Sequence, residues 1–243
     1  MLPFWIALQF LSSLPVRLPG MPCSEENGRS LLFYPVVGAL FGIVLMGLDV
    51  LLQGTPSMLH AALLLCAWVL LSGALHLDGL ADSADAWLGG FGDRERTLTI
   101  MKDPRSGPIA VVTLVLVLLL KFTAILALID NGHSIALLLA PLIGRSAILG
   151  LFLSTPYVRA GGLGQALADH LPRSAARRVL LISMAACVLL AGWSGLIAVL
   201  AAMLCFLWLR QLMILRLGGT TGDTAGALLE LLEVTALLAV ALR

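Results

Sequence analysis

The sequence predicts an all-α, polytopic integral membrane protein. Of its 243 residues, 60% are hydrophobic and only 12% are charged, and the mean hydropathy is +1.02. Soluble domains carry roughly 25% charged residues, so the chain is too apolar for that class. Its apolar residues also fall into separate runs, each close to the roughly 20 residues that a helix needs to cross a bilayer.

Seven apolar runs are predicted to be transmembrane helices within one domain covering residues 1–243. Residues 179–209 contain no charge. As one helix they would be about 46 Å long, too long for a hydrocarbon core of about 30 Å. A turn is therefore predicted at 192–195, and the spans are placed near 31–52, 57–75, 108–129, 134–153, 175–191, 194–214 and 225–242.

Residues 2–14 are also apolar, but they do not have the features of a cleaved signal peptide. They contain Pro3, and no Lys or Arg precedes Arg17, whereas signal peptides begin with a basic region. We predict an interfacial or re-entrant N-terminal helix instead.

Positive charge lies on one side of the predicted topology. The connections at 53–56, 130–133 and 192–193 contain no Lys or Arg, and Arg243 is the one basic residue predicted at that far end. Because basic loops face the cytoplasm, the opposite ends are predicted to be cytoplasmic. Those ends carry Arg17, Arg29, Arg94, Arg96, Lys102, Arg105, Arg159, Arg173, Arg177, Arg178, Arg210 and Arg216.

Three aspartates follow the second predicted span, in HLDGLADSADA at residues 76–86. Asp78, Asp82 and Asp85 have the spacing i, i+4, i+7, so they share one face of a helix. Carboxylates suit Mg²⁺, which usually binds one or two of them together with substrate phosphates. Since the outer two are about 10 Å apart along the axis, one ion binds only an adjacent pair. The alternative is a solvated acidic face, and His76 either caps the span or acts in catalysis.

The segment RERTLTIMKDPRSGP is predicted to bind a diphosphate and a nucleotide. Arginine binds phosphate oxygens in bidentate fashion, and lysine adds a point charge. The alternative is an ordinary basic loop, with Asp103 as the N-cap of a helix that has Pro104 at its first position. The candidate substrate-binding residues here are Arg94, Arg96, Lys102, Asp103 and Arg105.

The glycine-rich stretch LGGTTGDTAGA, residues 217–227, leads into the last predicted span. Backbone amides of such a turn, at Gly219 for example, and of the following helix N-terminus form an anion site. Asp223 is a candidate to hold a metal above that site. Alternatively, Asp223 or Thr221 only caps the helix.

Several charged residues fall inside predicted spans, where ionisable side chains seek partners. Arg145 is predicted to pair with Glu230 or Glu233, either as a structural ion pair or as part of a substrate site. Lys121 is expected to snorkel toward Asp130 at the outer face.

Together these segments resemble the cobalamin synthase family, the adenosylcobinamide-GDP ribazoletransferases of prokaryotic membranes. The likeness runs in the same order over nearly the whole chain. It comprises FLSSLPV and RSLLFYPVVGALFG near the N-terminus, HLDGLADSADA, DRERTLTIMKDPRSG, GRS at 144–146, and LGGTTGDTAGA with the glutamate-containing helix after it.

The resemblance implies a magnesium-dependent transferase that joins adenosylcobinamide-GDP to α-ribazole, or to its 5′-phosphate, and releases GMP late in vitamin B12 synthesis. Asp78, Asp82 and Asp85 would bind Mg²⁺, and one of them would accept the hydroxyl proton. Asp223 would complete the metal site or orient the nucleophile. The basic segment would bind the substrate phosphates, with Arg145, Gly219 and Glu230 as further substrate-binding candidates.

Two other functions stay open at this point. A CDP-alcohol phosphotransferase also uses an Asp-rich helix face, although its Ala-Arg pair is replaced here by Ala81 and Asp82. A transporter would use Lys121, Arg145 and Glu230 as an ion path. The expected location is a prokaryotic inner membrane, with the active site facing the cytoplasm. The expected partners are the two substrates and the bilayer, without nucleic acid; a homo-oligomer is left open.

Overall fold

A computed structural model describes residues 1–161 and 163–243. In this part of the chain the regular elements are helices, apart from one isolated bridge between Tyr157 and Thr220, and the all-α prediction is confirmed. A 3₁₀ turn covers Leu31–Phe33. The α-helices are α1 (Leu2–Leu11), α2 (Ser24–Ser30), α3 (Tyr34–Leu51), α4 (Ser57–Ser72), α5 (Leu75–Gly89), α6 (Arg94–Ile100), α7 (Pro108–Asp130), α8 (Ala136–Ser154), α9 (Leu163–Asp169), α10 (Arg173–Leu217) and α11 (Gly222–Ala241).

By length and composition, five helices of the described residues can cross a membrane: α3 with the helical turns before it, α7, α8, α10 and α11. Helices α4 and α5 qualify only as a pair, which is bent by 87°. Both residues at the bend have positive φ, 63° at Gly73 and 57° at Ala74. The prediction of a polytopic membrane protein is therefore confirmed, and α5 leaves the second span in a new direction.

Helix α10 is interrupted at Gly192, where φ is 54° and ψ is −124°. Gly195 then comes so close to the preceding arm that a β-carbon on it would overlap the Cys187 carbonyl group. Leu180 and Phe206 lie on the two arms, and both pack against α8. This break confirms the turn predicted there. Seven spans result if the two arms of α10 are counted separately and α4 with α5 once, so that number stays a prediction.

Helix α8 lies at the centre of the bundle, and most of its residues are buried. Helix α3 crosses it at Gly38 and Gly42, one turn apart. A β-carbon would lie 2.9 Å from the Leu142 α-carbon at Gly38 and 2.6 Å from the Leu138 α-carbon at Gly42. Small residues let backbones approach closely in lipid, where helix association depends on packing rather than on leaving water.

Helix α1 has 10 residues, about half of what a membrane span requires. The chain after it is fixed to the end of α4, because the Ser13 amide donates to the Leu71 carbonyl at 2.9 Å and the Ser13 hydroxyl to the Leu70 carbonyl at 2.6 Å. Helix α1 therefore covers the side of the bundle on which α5 begins. Its interfacial or re-entrant position stays a prediction.

Candidate active site

A cavity of about 430 Å³ opens where α5, α8, α11 and the segment after α8 meet. It combines charged side chains of both signs with aromatic rings and with glycines from three segments. Its charged lining residues are Asp78, Arg159 and Asp223, and its aromatic ones are Phe10, Tyr34, Phe152 and Tyr157.

Two glycines bring α5 and α11 into backbone contact at this cavity. A β-carbon on Gly79 would lie 2.8 Å from the Asp223 carbonyl oxygen, and one on Gly226 would lie 3.3 Å from the His76 α-carbon. Larger side chains would push the two helices apart. Because Gly79 follows Asp78 directly, this crossing places the acidic start of α5 against the first turn of α11.

Asp82 lies one turn after Asp78 on the same helix. It is within electrostatic range of the carboxylates of Asp78, Asp85 and Asp223, and Arg159 is the cation that acts on it. Asp78 and Asp223 border one cavity, although they come from α5 and α11. The predicted convergence of acidic side chains on a metal ion stays a prediction.

The segment after α8 is tied to the glycine-rich turn before α11. The Thr220 amide donates to the Pro156 carbonyl at 2.8 Å, and the Val158 amide donates to the Thr220 carbonyl at 2.9 Å. Gly219 permits this pairing, since a β-carbon there would overlap the Pro156 carbonyl group. The predicted anion-binding glycine thus has a packing role, and its substrate contact stays a prediction.

This pairing brings Arg159 to Asp223, with 2.8 Å between the guanidinium and carboxylate atoms. Burial raises the pKa of the neighbouring Tyr157. The sequence identifies Arg159 only as one charge of the cytoplasmic set, and it gives no reason to select Tyr157. The nearest signal is their place between a span and Gly161, in a loop that the positive-inside rule puts on the same side as the aspartates.

The start of α11 settles which side chain caps it. The Thr221 hydroxyl accepts a hydrogen bond from the Thr224 amide at 3.2 Å, and the Thr224 hydroxyl accepts one from the Thr221 amide at 2.9 Å. Thr221 is therefore the N-cap, as one of the sequence alternatives predicts. Asp223 is left with Arg159 as its partner and faces the cavity.

Asp85 points toward the start of α7 rather than into the cavity. Its carboxylate accepts hydrogen bonds from the Gly107 amide and from the Ala110 amide, the latter at 2.9 Å. A carboxylate in this position stabilises the free amides and the positive end of a helix. Asp85 thus links α5 to α7, and its predicted role as a metal ligand stays a prediction.

The basic side chains of the segment RERTLTIMKDPRSGP differ in their contacts. Arg94 donates to the Leu217 carbonyl at 2.8 Å, whereas Arg96 and Lys102 are exposed. Arg105 binds both carboxylate oxygens of Asp103, at 2.9 and 2.6 Å, and these bonds lower the pKa of Asp103 to about 2. None of these side chains lines the cavity described above, so their contact with substrate stays a prediction.

The alternative role of Asp103 as a helix N-cap is wrong. The next helix begins at Pro108 and has Gly107 at the N-cap. Its free amides are bound by Asp85 from another helix, so the capping signal in the local sequence has no part in it.

A second charged cluster is buried between α7, α8 and α11. Arg145 pairs with Glu233, which confirms one of the two predicted pairings. Lys121 bridges Glu230 and Glu233, at 2.6 Å from each. The expectation that Lys121 snorkels to the outer face is wrong, because its side chain is 3% exposed and it lies 4.8 Å from the centre of the Trp68 ring. Neither Arg145 nor Glu230 lines the cavity, so their substrate contact stays a prediction.

Mg²⁺ suits the donor set beside the cavity, which consists of carboxylate oxygens. In residues 1–161 and 163–243, no three His, Cys, Asp or Glu side chains are grouped closely enough to hold one ion. The expectation that Asp78, Asp82 and Asp85 do not share one ion rests on their spacing along α5 and stays a prediction. Mg²⁺ commonly needs one or two carboxylates, because substrate phosphates and waters supply the other ligands.

A family model described as cobalamin-5-phosphate synthase (CobS) matches residues 3–241. The chain belongs to the cobalamin-5-phosphate synthase family. The resemblance predicted from the sequence motifs is thereby confirmed over almost the whole chain.

Curated members of the family are similar to this chain from end to end. It is 78% identical to a protein of Pseudomonas fluorescens strain Pf-5 and 76% identical to one of Pseudomonas savastanoi pv. phaseolicola, each over 242 residues and 100% of both chains. Both relatives are named adenosylcobinamide-GDP ribazoletransferase. No solved structure matches the chain.

Proposed function

We propose that this chain joins adenosylcobinamide-GDP to α-ribazole, or to its 5′-phosphate, with release of GMP. Family membership supports the transferase activity and its place in cobalamin synthesis. The observation that carries the proposal for the site is the backbone contact of α5 at Gly79 with Asp223 of α11. It brings Asp78 and Asp223 to one cavity that also contains Arg159.

The proposed reaction is a phosphoryl-type transfer. A ribose hydroxyl of α-ribazole forms a bond to the phosphorus atom that carries the corrinoid side chain. The bond from that phosphorus to the oxygen shared with GMP breaks, and GMP leaves with the shared oxygen. The hydroxyl proton passes to a carboxylate of α5.

Such transfers depend mainly on positioning and on stabilisation of negative charge. When bound, Mg²⁺ would neutralise charge on the diphosphate. Asp78 and Asp82 are the proposed metal-holding residues, with substrate phosphates and waters as the other ligands. Asp223 would orient the nucleophile, while Asp85 keeps the start of α7 in place. Arg159 would bind a phosphate oxygen after exchanging its contact with Asp223. The exposed Arg96 and Lys102 would bind the outer part of the nucleotide.

We also propose that the protein lies in a prokaryotic inner membrane with this cavity at the cytoplasmic side. The basic connections support this orientation. They include the segment with Arg159 and the loop with Arg105, which lie at the same end of the bundle as the starts of α7 and α11.

The test is turnover by the purified protein in liposomes. With adenosylcobinamide-GDP, α-ribazole and Mg²⁺, we expect equal amounts of GMP and of a cobalamin product. Chelation of Mg²⁺ by EDTA should stop the reaction, and added Mg²⁺ should restore it. Absence of GMP from a folded preparation would disprove the proposal.

The transporter alternative loses its main support in the structure. Its proposed ion path consists of Lys121, Arg145 and Glu230, and these residues form ion pairs inside the bundle. Accumulation of a corrinoid inside liposomes without nucleotide cleavage would nevertheless favour a transporter.

A further inference from the structure

A second cavity, of about 490 Å³, adjoins the candidate active site between α1, α2, α5 and α9. The two cavities share part of their walls. Phe10, Tyr34, Leu75 and Leu167 border both of them. A molecule in the second cavity therefore lies directly beside the first.

The described lining of the second cavity differs in charge from that of the first. It contains no Asp, Glu, Lys, Arg or His, and its polar side chains are Gln9, Asn27, Ser30 and Tyr34. Most of the other lining residues are apolar. An uncharged ligand suits such a wall, because a phosphate or carboxylate would lose its hydration there without gaining a charged partner.

Two aromatic rings stand at the junction. The rings of Phe10 and Tyr34 are stacked, with 6.4 Å between their centres and 23° between their planes. Phe10 is 36% exposed, so part of its surface is available to a flat ligand. Aromatic rings favour offset-stacked or edge-to-face contact with a second ring.

Tyr34 also brings a polar group to the junction. The residue is only 1% exposed, and it borders both cavities. A phenol hydroxyl both donates and accepts hydrogen bonds. A ligand at the junction of the two cavities can therefore bind to it.

The diphosphate of one substrate and the base of the other differ in charge in the same way as the two cavities. Adenosylcobinamide-GDP carries the anionic diphosphate, which suits the cavity with Arg159 and the carboxylates. α-Ribazole has an uncharged, flat, bicyclic base on a single ribose. We propose that the second cavity binds the base of α-ribazole, with its ribose at Tyr34 and its reacting hydroxyl directed toward Asp78. This inference rests on the proposed function.

Size supports this choice of occupant. Cavities of about 300–1,000 Å³ bury most of a drug-sized ligand, and a base with one ribose is of that size. A corrin ring with its side chains is several times larger than this nucleoside, so a cavity of about 490 Å³ is too small for it.

The test compares the KM values of the two substrates in matched variants. Leu18→Trp fills the second cavity, and Phe10→Ala removes the stacking surface. Leu14→Trp in the same loop and Trp5→Ala on the same helix are the controls, because neither residue borders a cavity of this site. Phe10 and Trp5 are similarly exposed, 36% and 45%.

We expect Phe10→Ala to raise the KM for α-ribazole by about tenfold, as loss of an aromatic contact predicts. Leu18→Trp should raise it by at least as much, because the larger side chain occupies the space of the base. In Leu18→Trp, which borders only the second cavity, the KM for adenosylcobinamide-GDP should stay within about twofold, a change of less than 0.5 kcal/mol. In Phe10→Ala, which borders both cavities, the KM for α-ribazole should rise more than that for adenosylcobinamide-GDP. The controls should behave as the wild type for both substrates. Direct binding of α-ribazole, followed by the fluorescence of its base without the second substrate, should weaken in the same two variants.

Other outcomes would overturn the inference. If the KM for adenosylcobinamide-GDP rises instead, the corrinoid substrate uses the cavity. If Leu18→Trp loses a co-purified phospholipid, measured by mass spectrometry, and binds α-ribazole normally, the occupant is a lipid. If the wild-type protein neither binds α-ribazole nor forms GMP, the proposed function itself fails. If the wild type turns over normally and both test variants behave like it, the inference about the second cavity fails alone.

Discussion

The molecule contains two clusters of charged residues that lie next to each other but are built differently. In the buried cluster, Lys121 and Arg145 face Glu230 and Glu233, so that two positive charges meet two negative ones. The second cluster lies at the cavity of the candidate active site, which we call the cleft. There Asp78, Asp82 and Asp223 have Arg159 as their cation. The buried cluster is neutral and closed, whereas the cleft is negative and open to a cavity.

This difference separates charges that hold helices together from charges that are accessible to a ligand. Charges inside a membrane are tolerated when they pair with one another, and the buried cluster joins α7, α8 and α11 in this way. An excess of carboxylates at a cavity is unfavourable in the absence of a cation. Of these two clusters, the cleft is the one that suits the metal and phosphate site that we propose.

The largest effect is expected from removing a charge of the neutral cluster. Lys121→Met leaves two buried carboxylates with Arg145 as their cation. Breaking a buried pair typically costs about 3–5 kcal/mol, which corresponds to a fall in Tm of roughly 6–20 °C for a chain of this size. Thermal unfolding in detergent measures it.

Two further variants make this result specific. Lys102→Met removes an exposed lysine and should leave Tm unchanged. Adding Glu230→Gln to Lys121→Met should restore part of the lost stability. Equal Tm values for Lys121→Met and the wild type would show that these ion pairs do not form.

In the cleft, we expect removal of a charge to change Tm in the opposite direction. Asp82→Asn removes one of several mutually repelling carboxylates, so without Mg²⁺ it should keep or slightly raise Tm. Turnover should nevertheless fall by at least about 100-fold, the usual cost of losing one group that stabilises transition-state charge. Asp130→Asn, at the far end of α7, is the matched control and should retain full activity. Normal turnover of Asp82→Asn would exclude this residue from the mechanism.

Much of the fold could be predicted because hydrophobic length and charge asymmetry act locally along the chain. The break at Gly192 follows from the fact that 179–209 is too long for one span. The bend between α4 and α5 could not be predicted in the same way. Ala74 adopts positive φ there, which its side chain disfavours, and the docking of Ser13 on α4 supports the bend from outside the local sequence.

At the site, the acidic residues could be predicted, but their partners could not. The spacing of Asp78 and Asp82 on one helix is a local property, whereas their approach to Asp223 depends on the tertiary contact at Gly79. The role of Arg159 could not be predicted, because the pairing of its segment with the turn at Thr220 is a long-range contact. The direction of the Lys121 side chain could not be predicted for the same reason, since Glu230 is 109 residues away in sequence.

A moderate loss of stability and of turnover is expected at Asp85, which connects the cleft to the start of α7. Asp85→Ala removes the acceptor of the Gly107 and Ala110 amides, and loss of a helix cap typically costs about 0.5–2 kcal/mol. We expect faster hydrogen exchange at the start of α7, with a smaller loss of turnover than in Asp82→Asn. Asp85→Asn retains one acceptor oxygen and should lie between Asp85→Ala and the wild type. If Asp85→Ala instead abolishes Mg²⁺-dependent turnover without loosening α7, Asp85 is a metal ligand.

The smallest effect is expected at the exposed pair of Asp103 and Arg105, which tests whether the basic segment binds substrate. Arg105 already uses its guanidinium on Asp103, so a phosphate must compete with that carboxylate. The attraction within an exposed pair is weak, because water and salt screen it. Asp103→Asn should therefore lower the KM for adenosylcobinamide-GDP by up to about fivefold, and Arg105→Gln should raise it. Glu95→Gln is the control, because its partner Arg94 is also held by the Leu217 carbonyl. A higher KM for Asp103→Asn would instead mean that Asp103 itself contacts the substrate, as its place among the predicted binding residues implies.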